Sequence, residues 1–346
     1  MRINPFARAC ATAACVIAVM AGAALGGDIS RKGTTGADQL LIPVGARSIA
    51  TGGAFLSNTH GVEAIYYNPA GLSGLPRTEA MFSYMSYIAD INISYFALGF
   101  HPGDFGSFGL SFKSFAFDDI PVTTVDNPDG TGATYTPSIF NLGLTYAKTI
   151  TDQVSAGFTA KLIHEGFFST VANGFALDFG VQYRFDNQLS LGVAVKNLGG
   201  NMKFSGQDLQ VRTSVPDALP GTQGNGVFEP VVEPFQVPSY FELSTAYEFK
   251  QNGSSNSALL VGATYRNNNS LEDLLMAGAE LKAAKNFFLR GGYDYAVQNN
   301  SDAQYDWTLG AGLEYEMETF KINVDYAYRN VQDFNANNVF TVRLAF

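Results

Sequence analysis

The chain has 346 residues, of which 36 are Gly, 28 Phe and 17 Tyr, with only 15% charged residues and a formal net charge of −10. An acidic balance of this size argues against nucleic acid as a partner and suits soluble exposed loops. The only cysteines, Cys10 and Cys15, fall in a leader that is expected to be removed. The mature chain then excludes disulfides, thiolate metal sites and a cysteine nucleophile.

Arg2 and Arg8 precede an apolar run over 9–25 that ends in small residues. This is the layout of a secretory signal, with cleavage near Ala24, so residues 1–24 are read as a signal peptide. Cys15 comes too early in the run for a lipoprotein cleavage site. Loss of Arg2 and Arg8 takes the 21 basic residues to 19 against 31 acidic, a net charge of −12. Beyond the leader no apolar run reaches the roughly 18 residues that a transmembrane helix needs. The chain is therefore expected to be exported without a helical anchor.

Residues 28–77 carry Gly, Ala and Pro clusters and show no alternation. They are read as a segment that plugs a wide lumen. Within it, Pro69 fixes φ, Asn68 can bond its own backbone and Gly71 tolerates positive φ, so Asn68-Pro69-Ala70-Gly71 reads as a rigid, non-helical bend. Arg47 reads as half of an ion pair between plug and wall.

From 78 onward apolar and small or polar residues alternate again and again. Phe175, Leu177, Phe179, Val181 and Tyr183 alternate with Ala176, Asp178, Gly180, Gln182 and Arg184, and Val324, Tyr326 and Tyr328 with Asn323, Asp325 and Arg329. The charges fall on one face. That is the pattern of a transmembrane barrel wall, in which Arg or Lys facing the bilayer centre costs about 2–4 kcal/mol. A soluble sandwich with its apolar face buried has the same period, so alternation alone leaves both open.

The segments number about fourteen: 81–88, 91–100, 106–117, 135–149, 153–166, 172–185, 188–198, 238–249, 257–266, 273–283, 286–296, 305–317, 319–329 and 338–346. Connections after even-numbered segments are short; most of those after odd-numbered ones are longer and polar. Short periplasmic turns against long outer loops is the pattern of a barrel. The fold class read here is all-β: a transmembrane antiparallel barrel over 78–346 with an N-terminal plug. The longest connection, 199–237, mixes apolar residues with Pro and Gly, and Phe228 and Phe235 are read as anchors for a protein partner; the alternative is that these side chains fold inward as a lid. The last segment ends on Phe346, an aromatic in the position where the outer-membrane assembly machinery can recognise the closing strand.

Three runs resemble one family. Val44-Gly45-Ala46-Arg47, then Gly52-Gly53-Ala54-Phe55, then Asn68-Pro69-Ala70-Gly71-Leu72 resemble the N-terminal signature of the PorV/PorQ outer-membrane proteins, which are related to the FadL-type fatty-acid channels. Gly174-Phe175-Ala176-Leu177-Asp178 and Asn197-Leu198-Gly199 are similar to the same family. Thr51 and the Thr59-His60-Gly61 stretch depart from its pattern. The resemblance implies an outer-membrane protein of a Gram-negative-type bacterium, working in type IX secretion or surface attachment with secretion subunits or cargo C-terminal domains as partners. The alternative is a FadL-like transporter of hydrophobic small molecules, with a lateral opening gated near the plug motif; a general porin is disfavoured by the plug.

No catalytic motif is present. His60, His101 and His164 lack zinc spacing, and there is no nucleophile elbow, phosphate loop or dinucleotide fingerprint. No metal, cofactor or enzymatic activity is expected, and Glu314 with Glu316 reads as solvated lumen charge.

Overall fold

A computed structural model describes residues 29–214, 225–250, 258–284, 286–298, 300 and 303–346. The signal peptide and residues 215–224 of the longest connection lie outside the described residues. No described helix is long and apolar enough to cross a membrane.

Fourteen antiparallel strands form one sheet that closes on itself. They are β1 Glu79–Ser86, β2 Asn92–Phe100, β3 Ser107–Ala116, β4 Ser138–Thr149, β5 Val154–Phe167, β6 Thr170–Arg184 and β7 Leu189–Gly199. The second half comprises β8 Tyr240–Lys250, β9 Ala258–Asn268, β10 Leu274–Ala284, β11 Phe287–Ala296, β12 Tyr305–Glu316, β13 Lys321–Val331 and β14 Asn337–Ala345. The first and last strands pair, Glu79 with Ala345 and Ser86 with Asn338, so no long edge is left open. Apart from the start of β4, every end lies within two residues of the span read from sequence. β4 starts later, at Ser138, because Thr134–Tyr135 pairs instead with Ile120–Pro121 in a small ribbon and Pro137, which has no N–H to donate, intervenes.

The wall is inside out relative to a soluble sandwich. Phe96, Leu144, Leu162, Leu309, Leu313 and Phe340 are exposed on the outer face, while Lys113, Lys161, Asp178, Lys196, Glu280, Arg290 and Asp325 are buried on the inner one. An apolar belt of this extent is stable against lipid and aggregates in water.

Most of the stretch 37–75 is buried against the inner face of the wall. Short helices Ala46–Ala50, Ala64–Tyr67 and Pro69–Gly74 carry the segment across the lumen. It touches the wall nearly all the way round, and at many of the closest approaches the wall residue is glycine. A Cβ on Gly310 would meet Ala50, on Gly292 Gly52, on Gly262 Phe55, on Gly192 Ser57, on Gly180 Asn68 and on Gly109 Ile65, each closer than 3.0 Å. Small residues on the inner face of the strands are therefore seats for this segment as well as the polar half of an alternating pattern.

Candidate functional site

The Asn-Pro-Ala-Gly element is helical, which corrects the bend expected from sequence. Asn68 caps the 3₁₀ helix Pro69–Gly74, its Oδ1 accepting from the Ala70 N–H at 3.2 Å, and Pro69 stands at the first position, where a missing N–H costs nothing. The Asn68 amide also donates to the Val181 and Val193 carbonyls on β6 and β7, at 3.1 and 3.3 Å. Gly71 is needed for a different reason from the one inferred. It is absent from the positive-φ residues; instead the Thr59 carbonyl oxygen would sit 2.0 Å from its Cβ. Gly52 and Gly53 do take positive φ, 62° and 72°.

Arg47 reaches Glu280 on β10 through two bonds of 2.8 and 2.9 Å. Glu280 also pairs with Arg290 at 2.6 Å, and Arg290 with Asp325 at 2.6 Å. Arg343 on β14 lies 3.6 Å from Asp325 and 3.8 Å from Glu63 of the inner segment. This chain of alternating charges ties the segment to one half of the wall. Beside it His60 accepts from Arg184 at 2.8 Å, and burial, with Arg184 and Arg47 adding, pushes its imidazole down to about 3.

A second polar centre lies opposite, where β6 and β7 fall out of register between Leu177 and Phe179. Leu177 pairs with Leu198 and Phe179 with Val195, so β7 has two residues, Lys196 and Asn197, where β6 has only Asp178. Asn197 takes the left-handed conformation, φ 56°, and its N–H donates to Asp178 at 2.8 Å. Lys161 and Lys196 each reach Asp178 at 2.7 Å, and Lys161 also donates to the Asn197 side chain. After Gly199 the chain leaves the wall, and on that edge Thr170 and Val171 at the upper end of β6 pair with Ser205–Gly206. Outside this break lies a crevice of about 510 Å³, lined by Phe175, Leu177, Leu198 and Val237 among others.

Two further spaces flank the inner segment. At the long-loop end a cavity of about 450 Å³ combines Leu41, Ile42, Tyr87 and Tyr305 with Arg266, Asp294 and Arg329. At the short-turn end a polar vestibule of about 1050 Å³ is bordered by Arg47, His60, Arg184 and Glu280.

The remaining residues singled out in the sequence are scattered. Phe235 packs on Phe204, with ring centroids 5.4 Å apart, and a Cβ on Gly36 would touch its ring, so it belongs to the cluster closing the wall above β7. Phe228 is exposed on a ribbon that pairs Val211–Ser214 with Asn225–Phe228. The exposed Phe346 bonds through its N–H to the Thr78 carbonyl, at the closing seam. Glu314 pairs with Lys321 and Asn323. Sequence reading placed charges on the inner face but missed Asp178 with its two lysines, whose signals were the Phe-Ala-Leu-Asp and Lys-Asn-Leu-Gly runs. Among the described residues no group of His, Cys, Asp and Glu gathers as a metal site.

No protein-family model matches the chain and no curated protein matches it, so the PorV/PorQ resemblance rests on its motifs alone. Solved structures do match. The monoaromatic hydrocarbon channel CymD aligns with TM-score 0.55 at 13% identity, covering 88% of this chain and 98% of that one. A FadL homologue from Pseudomonas aeruginosa gives 0.53 and the toluene transporter TbuX of Ralstonia pickettii 0.50, with the same identity and coverage. The chain has the fold of the FadL-like outer-membrane barrels.

Proposed function

We propose that the protein carries small hydrophobic molecules across the outer membrane of a Gram-negative-type bacterium. They enter at the long-loop end and leave sideways through the wall between β6 and β7. The break in register there carries this reading: a ladder that must be continuous to seal against lipid loses a pairing, and beside it opens a crevice in which Phe175, Leu177, Leu198 and Val237 stand with Asn197, Asn201 and Gln236. The cavity of about 450 Å³ at the long-loop end has the size and mixed lining of a small-molecule site. The named activities of the structurally similar channels favour this over secretion, and the inner segment blocks a straight path.

The test is a cross-link. With Cys10 and Cys15 in the leader, a mature Leu177→Cys/Leu198→Cys variant has only the new pair. Oxidation should abolish uptake of a labelled monoaromatic hydrocarbon into proteoliposomes, and reduction should restore it. Uptake that is indifferent to the cross-link would sink the lateral route.

The secretion or surface-attachment reading has one observation in its favour. Val211, Val227, Phe228 and Val231 are all exposed on or beside the ribbon beyond the wall, and an apolar surface of this kind suits a protein partner such as a secretion subunit or a cargo C-terminal domain. Phe228→Ser alone should then reduce co-purification of partners and leave hydrocarbon uptake unchanged. Phe235 is unsuited to this test because it packs inside the wall cluster.

A further inference from the structure

We infer that Met202 is the specificity-determining residue of the lateral route: its side chain closes the wall beside the upper end of β6 and sets the largest solute that passes. The inference rests on the transport reading above. β7 pairs with β6 only as far as Gly199 opposite Ala176, and the next residues paired on that edge are Val171 and Thr170, with Ser205 and Gly206. Met202 fills the gap between. It is 1% exposed and shares one apolar cluster with Ile163, Ala172 and Ala176 of the wall and with Ala37 and Leu40 of the inner segment, and a Cβ on Gly174 would fall 2.5 Å from its Sδ. With glycine and alanine at 172, 174 and 176, the space is occupied by the thioether rather than by the strand.

Its place is on the line from the long-loop cavity to the lipid. The turn Asp38–Leu40 of the inner segment, with the residues on either side of it, gives Asp38, Leu41 and Ile42 to the lining of the cavity of about 450 Å³ and Ala37 and Leu40 to the Met202 cluster. Beyond that cluster lies the crevice. Its lining includes Asn201, next to Met202, and Gln236 and Val237, which follow Phe235. A molecule leaving the cavity sideways thus meets two obstacles, the turn and Met202.

The two are held differently. The turn is bonded to its surroundings: Lys113 of β3 donates to the Gln39 and Ile42 carbonyls, the Tyr66 hydroxyl donates to the Leu40 carbonyl at 3.1 Å, and the Gly36 N–H donates to the Gln236 carbonyl at 3.0 Å. Moving it would strand buried carbonyls. The Met202 side chain is held by packing, and an unbranched thioether with three rotatable bonds repacks without leaving a polar group unmet. Its backbone is tied to Phe235, each N–H donating to the other's carbonyl at 2.9 Å, in a bridge outside the barrel ladder. Met202 is therefore the part that yields, and the gap it clears is limited to its own bulk. A single aromatic ring should pass; a broad fused-ring hydrocarbon should be held back.

The test compares uptake of labelled toluene and labelled pyrene by the full mature protein in proteoliposomes, each above protein-free vesicles. Met202→Ala should raise pyrene uptake several-fold more than toluene uptake, and a ratio equal to that of the wild type would overturn the inference. A second variant keeps Met202 itself. Asn201→Cys/Gln236→Cys flanks the bridge to Phe235, so oxidation should pin Met202 in place and stop toluene uptake, and reduction should restore it; uptake indifferent to this bond also counts against Met202. The lateral route is judged separately. If the Leu177/Leu198 cross-link stops uptake while both changes around Met202 leave it as it was, the route stands and Met202 is the wrong residue; if that cross-link has no effect, the route itself fails. One readout needs no transport: with Cys10 and Cys15 in the leader, Ala37→Cys is a lone thiol behind Met202, and N-phenylmaleimide should label it faster when Met202→Ala is added. Equal labelling rates would overturn the inference whatever the barrel carries.

Discussion

Asn68 shows how much one side chain can settle. Its oxygen caps a helix while its amide ties that helix to two wall carbonyls, and it is fully buried while doing so. Asn68→Ala should lower stability by about 2–3 kcal/mol, the sum of a lost cap and lost bonds to buried carbonyls. Asn68→Asp should be worse, because it keeps the cap but turns a carboxylate oxygen toward the carbonyls. Heat-modifiable mobility on gels, read against temperature, gives the order. His60 makes a pH prediction. Its imidazole is held down to about 3 in the fold against an ordinary value of 6.5. Between those values the unfolded chain binds a proton that the folded one refuses, so stability is lost as pH falls from about 6.5 toward 3 and is fully present above that window. His60→Gln should flatten that part of the acid-stability curve measured in detergent, and an unchanged curve would show that His60 is not held neutral.

At the scale of elements, the strands were legible in the sequence because lipid on one face and packed polar groups on the other impose a strict period of two over the whole length of each wall segment. The inner segment was legible only as something other than wall. Its helices are three to six residues long, as in Gly61–Glu63 and Pro69–Gly74, too short to show a period. What fixes them is contact with distant strands. Arg47 was recognised as half of a plug-to-wall pair, but Glu280 lies 233 residues away and nothing local points to it. The Asp178 cluster was hidden for the same reason: alternation says which face a charge takes, not which charges meet there. Glycine seats carry a matching prediction. Gly291 and Gly292 are neighbours on β11, and a Cβ on Gly291 meets only ordinary contacts at 3.6 Å or more, whereas one on Gly292 falls 2.3 Å from the Gly52 nitrogen. Gly291→Val should assemble normally. Gly292→Val should unseat the inner segment, seen as proteolysis within 29–77, and equal protease resistance in both variants would refute the seat.

For the whole molecule the question is whether the barrel conducts. Fourteen strands enclose a lumen that would be an open channel if empty. Here the inner segment reaches strands on every side, from Gly310 on β12 through Gly192 on β7 to Gly109 on β3, and it is held by Arg47 on Glu280 and Arg343 near Glu63. The vestibule at the short-turn end and the cavity at the long-loop end share no lining residue. We therefore expect the intact protein to give little conductance in planar bilayers, and Gly292→Val or deletion of 29–77 to raise it by opening the same space that the segment fills. Deletion also removes the partners of buried charges, so Glu280, Arg343 and Lys113 would then need water, and that variant is expected to be less stable as well as leaky. Large steady currents from the intact barrel would show that the segment leaves a continuous aqueous path, and with it the sideways route for hydrophobic molecules would lose its physical motive.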